Sequence, residues 1–289
     1  INLTALNDAP SFDPIADVTM DEDATPSPIT ITNVSTGGGT DEATQTVTFT
    51  ATSSDPTIVP DPTFSGSGDS RTLTFAPVAE ANGTVTITVT ATDDGADDGV
   101  KEFSTYTDTF TITVNSINDG PSFGEIATET IDEDSTLDIT ITSVATGGGD
   151  DEAAQALTVT ASSSDTTLLP DPTITGSGAT RTLSLAPAAD GNGSATVTVT
   201  VTDDGGTADV SDVDTYSQTF VVLVSAVNDA PLFDDIAAVS VDEDPGLSTV
   251  AITGIDVGGG ADEASSQSVL MTATSSDTSA IPAPAVSVT

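Results

Sequence analysis

The chain has 289 residues, of which 36% are apolar, and 46 acidic residues against three basic ones give it a net charge of −43. A surface this acidic repels phosphate, which makes nucleic acid and anionic membranes poor partners. The chain has no cysteine and therefore no disulfide scaffold, and it has no stretch of about 20 apolar residues that would insert into a membrane within this segment.

Three near-copies of one Asn-Asp-X-Pro passage divide the chain. They begin at Asn7, Asn118 and Asn228, which are 111 and 110 residues apart. A fixed period of this size indicates a string of similar domains. We predict the last strand and linker of a preceding repeat at 1–9, β-sandwich repeats at 10–119 and 120–229, and a partial third repeat at 230–289. Because the pattern starts and stops part-way through a repeat, we expect a window of a longer protein.

Short segments that alternate apolar and polar residues predict β-strands rather than helices or a disordered acidic chain. In the longest, Val85, Ile87 and Val89 fall on one face and threonines on the other, which is typical of a half-buried strand. Six or seven short strands per repeat predict a β-sandwich of the immunoglobulin type. In chain order, the predicted strands of the first repeat cover residues 29–31, 47–51, 73–75, 84–92 and 110–114.

Several residues between these strands have a structural interpretation. Asn82-Gly83 directly precedes a predicted strand, as Asn192-Gly193 does one repeat later, and this dipeptide predicts a hairpin turn. Arg71 and Arg181 occupy the same place in successive repeats, and we expect each to pair with loop carboxylates. The glycines at 37–39 have no Lys or helix start beside them, so we predict a flexible turn rather than a phosphate-binding loop.

Acidic residues gather at four places in each repeat, all of them predicted turns or strand ends. Carboxylates packed this closely raise one another's free energy unless a cation lies between them. Ca²⁺ takes about six to eight hard oxygen ligands in irregular geometry, which favours it over Mg²⁺, and the absence of His and Cys disfavours Zn²⁺. In the first repeat the four places are the triplet 21–23, Asp41-Glu42, the run that starts at Asp93-Asp94, and the linker Asn-Asp.

A plainer explanation of the acids stays open. An excess of Asp with almost no Lys also keeps proteins soluble in salty surroundings. That explanation would spread the acids over exposed strand faces, whereas those faces carry Thr and Ser here and most of the acids lie in predicted loops. The placement therefore favours specific cation sites without excluding a saline habitat.

The linker and its acidic neighbours resemble a known family. Asn-Asp-Ala-Pro is similar to the Asp-x-Asn-Asp-Asn-x-Pro linker of cadherins, and an early Glu and a late Thr-Asp-Asp-Gly resemble the acids that cadherin repeats send to the same junction. Over its whole length the chain most resembles the cadherin-like and immunoglobulin-like tandem repeats of large bacterial surface proteins and adhesins, in which Val-Asn-Asp-Ala-Pro recurs. This resemblance implies an all-β fold of tandem immunoglobulin/cadherin-like β-sandwich repeats of about 110 residues in an extended array.

The resemblance also implies Ca²⁺ ligands at three junctions. The front edge would use Asn7, Asp8, Asp41, Glu42, Asp93 and Asp94. The junction between the complete repeats would use Glu22, Asn118, Asp119, Asp151, Glu152, Asp203 and Asp204. The next junction would use Glu133, Asn228, Asp229, Asp262 and Glu263. We find no counterpart of the cadherin Leu-Asp-Arg-Glu segment, so we expect fewer ions per junction than in animal cadherins.

The resulting hypothesis is a calcium-stiffened stalk or fibre segment of a large adhesin, extracellular and either cell-surface or secreted. Its expected partners are neighbouring repeats of the same chain, copies of itself in a fibre, and an unidentified surface ligand. Two alternatives stay open: a self-assembling extracellular filament or surface-layer subunit, and a sugar- or protein-binding adhesin module. Catalysis is not expected, because His and Cys are missing and the acidic pairs recur in every repeat as structural elements do.

Overall fold

The computed structural model describes residues 6–40, 42–97, 100–101, 104–205, 214–243 and 246–287. The alternating sequence pattern determines the fold: nearly all regular structure is β, and the strands form separate three- and four-stranded sheets. This confirms the predicted all-β fold. Among the described residues, no helix is long and apolar enough to span a membrane.

The first half of the chain forms a sandwich of two sheets. One sheet has the order β1-β9-β6-β3, with β1 parallel to β9 and the other pairs antiparallel, and the second has the antiparallel order β2-β5-β4. A two-stranded ribbon, β7-β8, lies in the loop before β9. The strands are β1 Val18–Asp21, β2 Ile29–Ile31, β3 Val47–Ser53, β4 Thr63–Ser65, β5 Arg71–Thr74, β6 Gly83–Asp93, β7 Ala96–Asp97, β8 Val100–Lys101 and β9 Thr105–Asn115.

The core of this sandwich lies between the two sheets and follows from the alternation. Ile87 of β6 and Ile112 of β9 are fully buried from one sheet, and Leu73 of β5 is fully buried from the other. Burying a side chain of this size stabilises the fold by about 1.5–3 kcal/mol. The threonines between them face outward, because successive side chains of a strand point to opposite faces.

The second half repeats this topology. Its sheets have the orders β10-β16-β15-β12 and β11-β14-β13, with β10 parallel to β16. Val197 and Val199 are fully buried, as are the matching residues of β6. The strands are β10 Glu129–Asp132, β11 Leu137–Ile141, β12 Thr158–Ser163, β13 Thr173–Thr175, β14 Arg181–Leu185, β15 Gly193–Thr202 and β16 Thr215–Ser225.

The segment after β16 is different. Its described residues form no strand, and among them the only regular element is the six-residue helix α1, Ala261–Ser266. Phe233 is 52% exposed, whereas Phe12 and Phe123 at the same repeat position are 5% and 6% exposed. Tyr106 of β9 contacts Phe12 edge-to-face at 4.9 Å, and Tyr216 of β16 contacts Phe123 in the same way at 5.2 Å.

The described residues divide into two compact units that do not coincide with the repeats. The first contains those of Ile1–Pro121, Thr146–Leu157 and Thr202–Asp214, and the second those of Ser122–Ala145, Thr158–Val201 and Thr215–Thr289. The first linker and the linker at Asn118 therefore lie in the first unit, together with the loops that contact them. The linker at Asn228 lies in the second unit. The repeat boundaries stay a prediction.

Two expectations about loop residues were wrong. Asn82-Gly83 does not close a hairpin, because β5 before it and β6 after it belong to different sheets. Arg71 donates to the carbonyl oxygens of Gly68 at 2.7 Å and Val47 at 3.1 Å. Arg181 likewise donates to the carbonyls of its own loop, so neither arginine pairs with a carboxylate in the described contacts.

Candidate metal sites at the repeat junctions

Each linker aspartate is fixed by a glutamate from the early loop, by which we mean the segment directly after the three glycines at 37–39, 147–149 or 258–260. The backbone N–H of Asp8 donates to Glu42 Oε1 at 3.2 Å, and that of Asp119 donates to Glu152 Oε1 at 3.2 Å. Both glutamates begin short 3₁₀ helices, Glu42–Thr44 and Glu152–Ala154, and both are 2% exposed. Asp229 repeats the contact with Glu263 at 2.6 Å, although α1 replaces the 3₁₀ helix there.

The glycine run before each early loop makes this approach possible. At Gly147, a Cβ atom would lie 2.7 Å from the Cβ of Asp119, and the φ of +145° is one that L side chains rarely adopt. Gly37 has the same relation to Asp8, at 2.7 Å and φ +127°. The glycines predicted as a flexible turn therefore form the surface against which the linker packs.

A second buried glutamate holds the linker from the preceding repeat. Glu22, just after β1, accepts the N–H of Ile117 at 2.8 Å, and Glu133, after β10, accepts that of Val227 at 2.7 Å. The two glutamates are 4% and 2% exposed. The parallel pairing of β1 with β9 and of β10 with β16 brings each glutamate beside the start of the linker that follows the last strand.

A buried aspartate completes the set from the end of the long strand. Asp93 Oδ1 accepts from the side-chain amide of Asn7 and from the N–H of Gly95, both at 3.0 Å. Asp203 Oδ1 accepts from Asn118 at 3.4 Å and from the N–H of Gly205 at 2.9 Å. Asp93 is 1% exposed and Asp203 is 3% exposed.

Apart from Glu22, whose Oε2 accepts from the side-chain amide of Asn82 at 3.4 Å, these acids leave their second oxygen without a hydrogen-bond donor. An ionised carboxylate buried without a partner costs several kcal/mol, so it calls for a cation or a proton. Hard carboxylate oxygens delivered from several loops are the ligands that Ca²⁺ takes, so the side chains fit that ion. Among the described residues, the buried carboxylate oxygens without a partner are Glu42 Oε2, Asp93 Oδ2, Glu133 Oε2, Glu152 Oε2, Asp203 Oδ2, Asp229 Oδ2, Asp262 Oδ1 and Glu263 Oε2.

Two carboxylate clusters that are more exposed than these buried acids lie beside them. Carboxylate oxygens of Asp23, Glu80 and Asp119 lie within 4.8 Å of one another. A hydrogen bond to Asp119 and the charge of Asp119, with smaller contributions from burial, Asp23 and Glu22, raise the pKa of Glu80 to about 7. The negative charges of Asp119, Asp23 and Glu22 disfavour ionisation of Glu80, as neighbouring carboxylates do when no cation lies between them.

The second cluster repeats the first one repeat later. Carboxylate oxygens of Asp134, Asp190 and Asp229 also lie within 4.8 Å of one another. Desolvation raises the pKa of Asp229, and the charges of Asp134, Glu263 and Asp190 add to the effect. Burial likewise raises the pKa of Glu152, with further contributions from the charges of Asp151, Asp119 and Asp203.

Sequence reasoning missed Glu80 and Asp190. Both occupy the same place before an Asn-Gly dipeptide, and both adopt positive φ, 59° and 54°. That recurrence is the sequence signal by which they could have been identified. Asp23 and Asp134 lie in the same clusters as Glu80 and Asp190, and they belong to acidic triplets of which only Glu22 and Glu133 are predicted ligands. The predicted number of ions per junction stays a prediction.

Several other predicted ligands accept hydrogen bonds from neighbouring loops. Asp94 accepts from the N–H of Thr46 at 2.6 Å, and Asp204 accepts from that of Ala156 at 3.0 Å. Asp151 accepts from the side-chain amide of Asn82 at 2.7 Å. Asp41 lies outside the described residues. These contacts attach loops to one another, whereas Glu42, Glu133, Glu152, Glu263, Asp93 and Asp203 each retain an oxygen without a hydrogen-bond partner.

No protein-family profile matches the sequence, and no curated protein matches it. Among solved structures, the five-domain extracellular fragment of protocadherin gamma B2 has 16% identity and a TM-score of 0.46 over 81% of this chain and 43% of that one. A fragment of mouse cadherin-23 has 20% identity and a TM-score of 0.43, over 80% of this chain and 71% of that one. An endo-fucoidan hydrolase of glycoside hydrolase family 107 has 18% identity and a TM-score of 0.27, over 76% of this chain and 29% of that one.

The chain spans only 43% and 54% of the two protocadherin gamma B2 fragments that it matches. At these identities and TM-scores, likeness to a solved structure does not assign a function. The functional argument therefore depends on the buried carboxylates of this chain.

Proposed function

We propose that the chain is a calcium-stiffened segment of an extracellular tandem-repeat stalk or fibre, structural and adhesive rather than catalytic. One observation carries this proposal: buried carboxylate oxygens without a donor recur at matching positions of the repeats. The sequence supplies only three basic residues, and the two with described side chains, Arg71 and Arg181, donate to backbone carbonyls. Among the described side chains, none supplies a positive charge to these oxygens, so a bound cation would neutralise them without protonation.

The contacts of the linker explain how a cation would stiffen the chain. Glu22 before the linker and Glu152 after it each accept one linker N–H, at Ile117 and Asp119. Each glutamate uses one oxygen for that bond; Glu22 Oε2 accepts a further hydrogen bond from Asn82 at 3.4 Å, and Glu152 Oε2 has no partner. Ca²⁺ bound by such oxygens would connect the linker to the loops on both sides. Because the ion binds the folded arrangement only, it would also stabilise the fold by mass action.

The recurrence of the clusters supports a structural role. Glu42, Glu152 and Glu263 receive the same linker N–H in three successive repeats. Recurrence in every repeat is typical of structural elements, and the clusters consist of carboxylates and amides with no His or Cys in the chain to act as the usual base or nucleophile. We therefore infer that the acids hold ions and that the segment carries no reaction.

Thermal unfolding of the full chain tests the proposal. We would use circular dichroism to measure the midpoint of unfolding in chelator, in millimolar Ca²⁺, in millimolar Mg²⁺ and in NaCl of matched ionic strength. A site occupied at about a hundred times its Kd adds about 2.7 kcal/mol, which corresponds to a rise of roughly 5–10 °C in a chain of this size. A rise specific to Ca²⁺ is expected. Equal midpoints in Ca²⁺ and matched NaCl would overturn the proposal, since screening alone would then explain the acids.

A second candidate function, self-association, is favoured by the exposed apolar side chains after β16. Phe233, Leu247 and Leu270 are 52%, 96% and 90% exposed. Exposed apolar side chains gathered in one segment mark an interaction surface more often than isolated ones do. Copies of this chain would cover them in a filament or layer, and the sedimentation of the full chain over a range of concentrations tests this.

A further inference from the structure

The three early loops share a contact that sequence analysis did not identify. In each loop a glutamine side chain donates through Nε2 to Oδ1 of the linker asparagine. The distances are 2.8 Å for Gln45 to Asn7 and 2.6 Å for Gln155 to Asn118. Gln267 makes the same contact with the third linker at 2.9 Å. The backbone N–H of Gln155 also donates to the carbonyl of Glu152, so the glutamine is fixed at both ends.

The hydrogen bonds determine which way each amide points. The carboxylates of Asp203 and Asp214 only accept, so the Nδ2 of Asn118 must face them, as it does at 3.4 Å from each. Asn118 Oδ1 then faces the glutamine, and only the NH₂ of Gln155 can donate to it. The carbonyl oxygen of Gln155 is therefore turned away from the linker. The same reasoning applies to Gln45, since Asn7 donates to Asp93 at 3.0 Å.

That carbonyl oxygen is buried and has no hydrogen-bond donor in either complete repeat. Gln45 Oε1 and Gln155 Oε1 share this state with Glu152 Oε2 and Asp203 Oδ2, which belong to side chains 2% and 3% exposed. An unpaired buried carbonyl costs about 1–3 kcal/mol, so each of these oxygens calls for a partner, and hydrogen bonds through Asn118 and the Asp119 backbone connect the side chains of Gln155, Asp203 and Glu152. Carboxylate and amide oxygens together are a ligand set for Ca²⁺.

We propose that Gln155 supplies a neutral carbonyl ligand to a cation that Glu152 and Asp203 bind within one repeat, and that Gln45 does so with Glu42 and Asp93. This inference rests on the proposed function and adds an ion position whose ligands are not those of the cluster of Asp23, Glu80 and Asp119. A neutral ligand gives the site an oxygen without a further negative charge, which limits repulsion in the empty state. Through its NH₂ group the same side chain ties the linker to the ion.

Two substitutions of Gln155 in the full chain test the assignment by calorimetric titration with Ca²⁺ and by melting in chelator. Gln155→Leu removes both the ligand and the donor, so it should weaken Ca²⁺ binding at one site by at least about tenfold. Gln155→Glu retains an oxygen and adds a charge, so it should lower the midpoint in chelator while Ca²⁺ binds at least as tightly as to wild type. A merely structural glutamine would lower the midpoint in chelator for both variants and leave the Ca²⁺ affinity of both unchanged.

Gln267→Leu is the matched control. Gln267 makes the same contact with its linker asparagine, but it is exposed and its Oε1 is not among the buried oxygens without a partner. Its substitution should leave Ca²⁺ affinity within about twofold of wild type, well below the tenfold effect expected for a lost ligand. Unchanged binding by Gln155→Leu, or weaker binding by Gln155→Glu, would overturn this inference alone. Absence of Ca²⁺ binding by wild type would instead overturn the proposed function.

Discussion

Neighbouring carboxylates raise the pKa of Glu80. Its oxygens lie within 4.8 Å of those of Asp23 and Asp119, and the pKa of Glu80 is raised to about 7. At pH 8 the group is ionised, and in chelator it destabilises the folded chain by repulsion. We predict that Glu80→Gln raises the midpoint in chelator at pH 8 and reduces the further rise that Ca²⁺ produces. Melting of both proteins in chelator and in Ca²⁺ measures the two opposite signs.

Glu125→Gln is the control for the lost charge. Glu125 is exposed and does not belong to either cluster. Its substitution by Gln removes the same unit of negative charge as Glu80→Gln. We expect it to raise the midpoint in chelator less than Glu80→Gln does and to leave the Ca²⁺ effect as in wild type. If both variants behave alike, Glu80 is only one of many surface acids and does not hold a cation.

At the scale of elements, the strands were predictable and the sites only in part. Alternation identifies β6 because Val85 and Ile87 must share a face wherever the strand lies. Nothing local places Glu80 beside Asp119, since their proximity depends on a loop that crosses between sheets and on a linker about forty residues later. Gln155 was missed for another reason: a neutral amide among carboxylates gives no charge signal, and its role depends on the orientation that Asn118 imposes.

The turn between β12 and β13 has an electrostatic requirement of its own. Asp165 accepts from Thr167, through both its N–H at 3.0 Å and its hydroxyl at 2.6 Å, and these bonds with that from Leu168 N–H hold the pKa of Asp165 below its usual 3.8. The ionised form therefore favours folding. Its contribution is complete above pH 3.8 and is lost as the pH falls through the lower folded value.

We predict that Asp165→Asn lowers the midpoint at pH 7, and that the difference from wild type shrinks as the pH falls through the depressed pKa of Asp165. Melting curves in chelator from pH 7 down to about pH 2 measure this, with the junction acids free of metal throughout. The exposed Asp235→Asn in the segment after β16 controls for the change in net charge. A difference from wild type that stays constant over the whole range would show that the turn does not depend on ionised Asp165.

For the whole molecule, the net charge of −43 has two parts with different physical requirements. Exposed acids such as Asp138 repel through water, and monovalent salt screens them over about 8–10 Å. Glu152 and Asp203 lie beneath the surface, where mobile ions screen them poorly, and each retains an oxygen without a donor. The alternative of simple solvation accounts for the first part only. Comparing Ca²⁺ with NaCl at equal ionic strength therefore separates the two parts.

The segment after β16 is where we expect copies of the chain to meet, because its apolar side chains are exposed. Phe233 occupies the position at which Phe12 and Phe123 pack against a tyrosine of their own sandwich, yet it is 52% exposed. We predict that the weight-average sedimentation coefficient of the full chain rises with concentration in constant Ca²⁺, and that Phe233→Ser reduces this rise by removing apolar surface. Leu6→Ser, at a site 69% exposed outside the segment, should change it less. Concentration-independent sedimentation of wild type would show that copies of the chain do not cover Phe233.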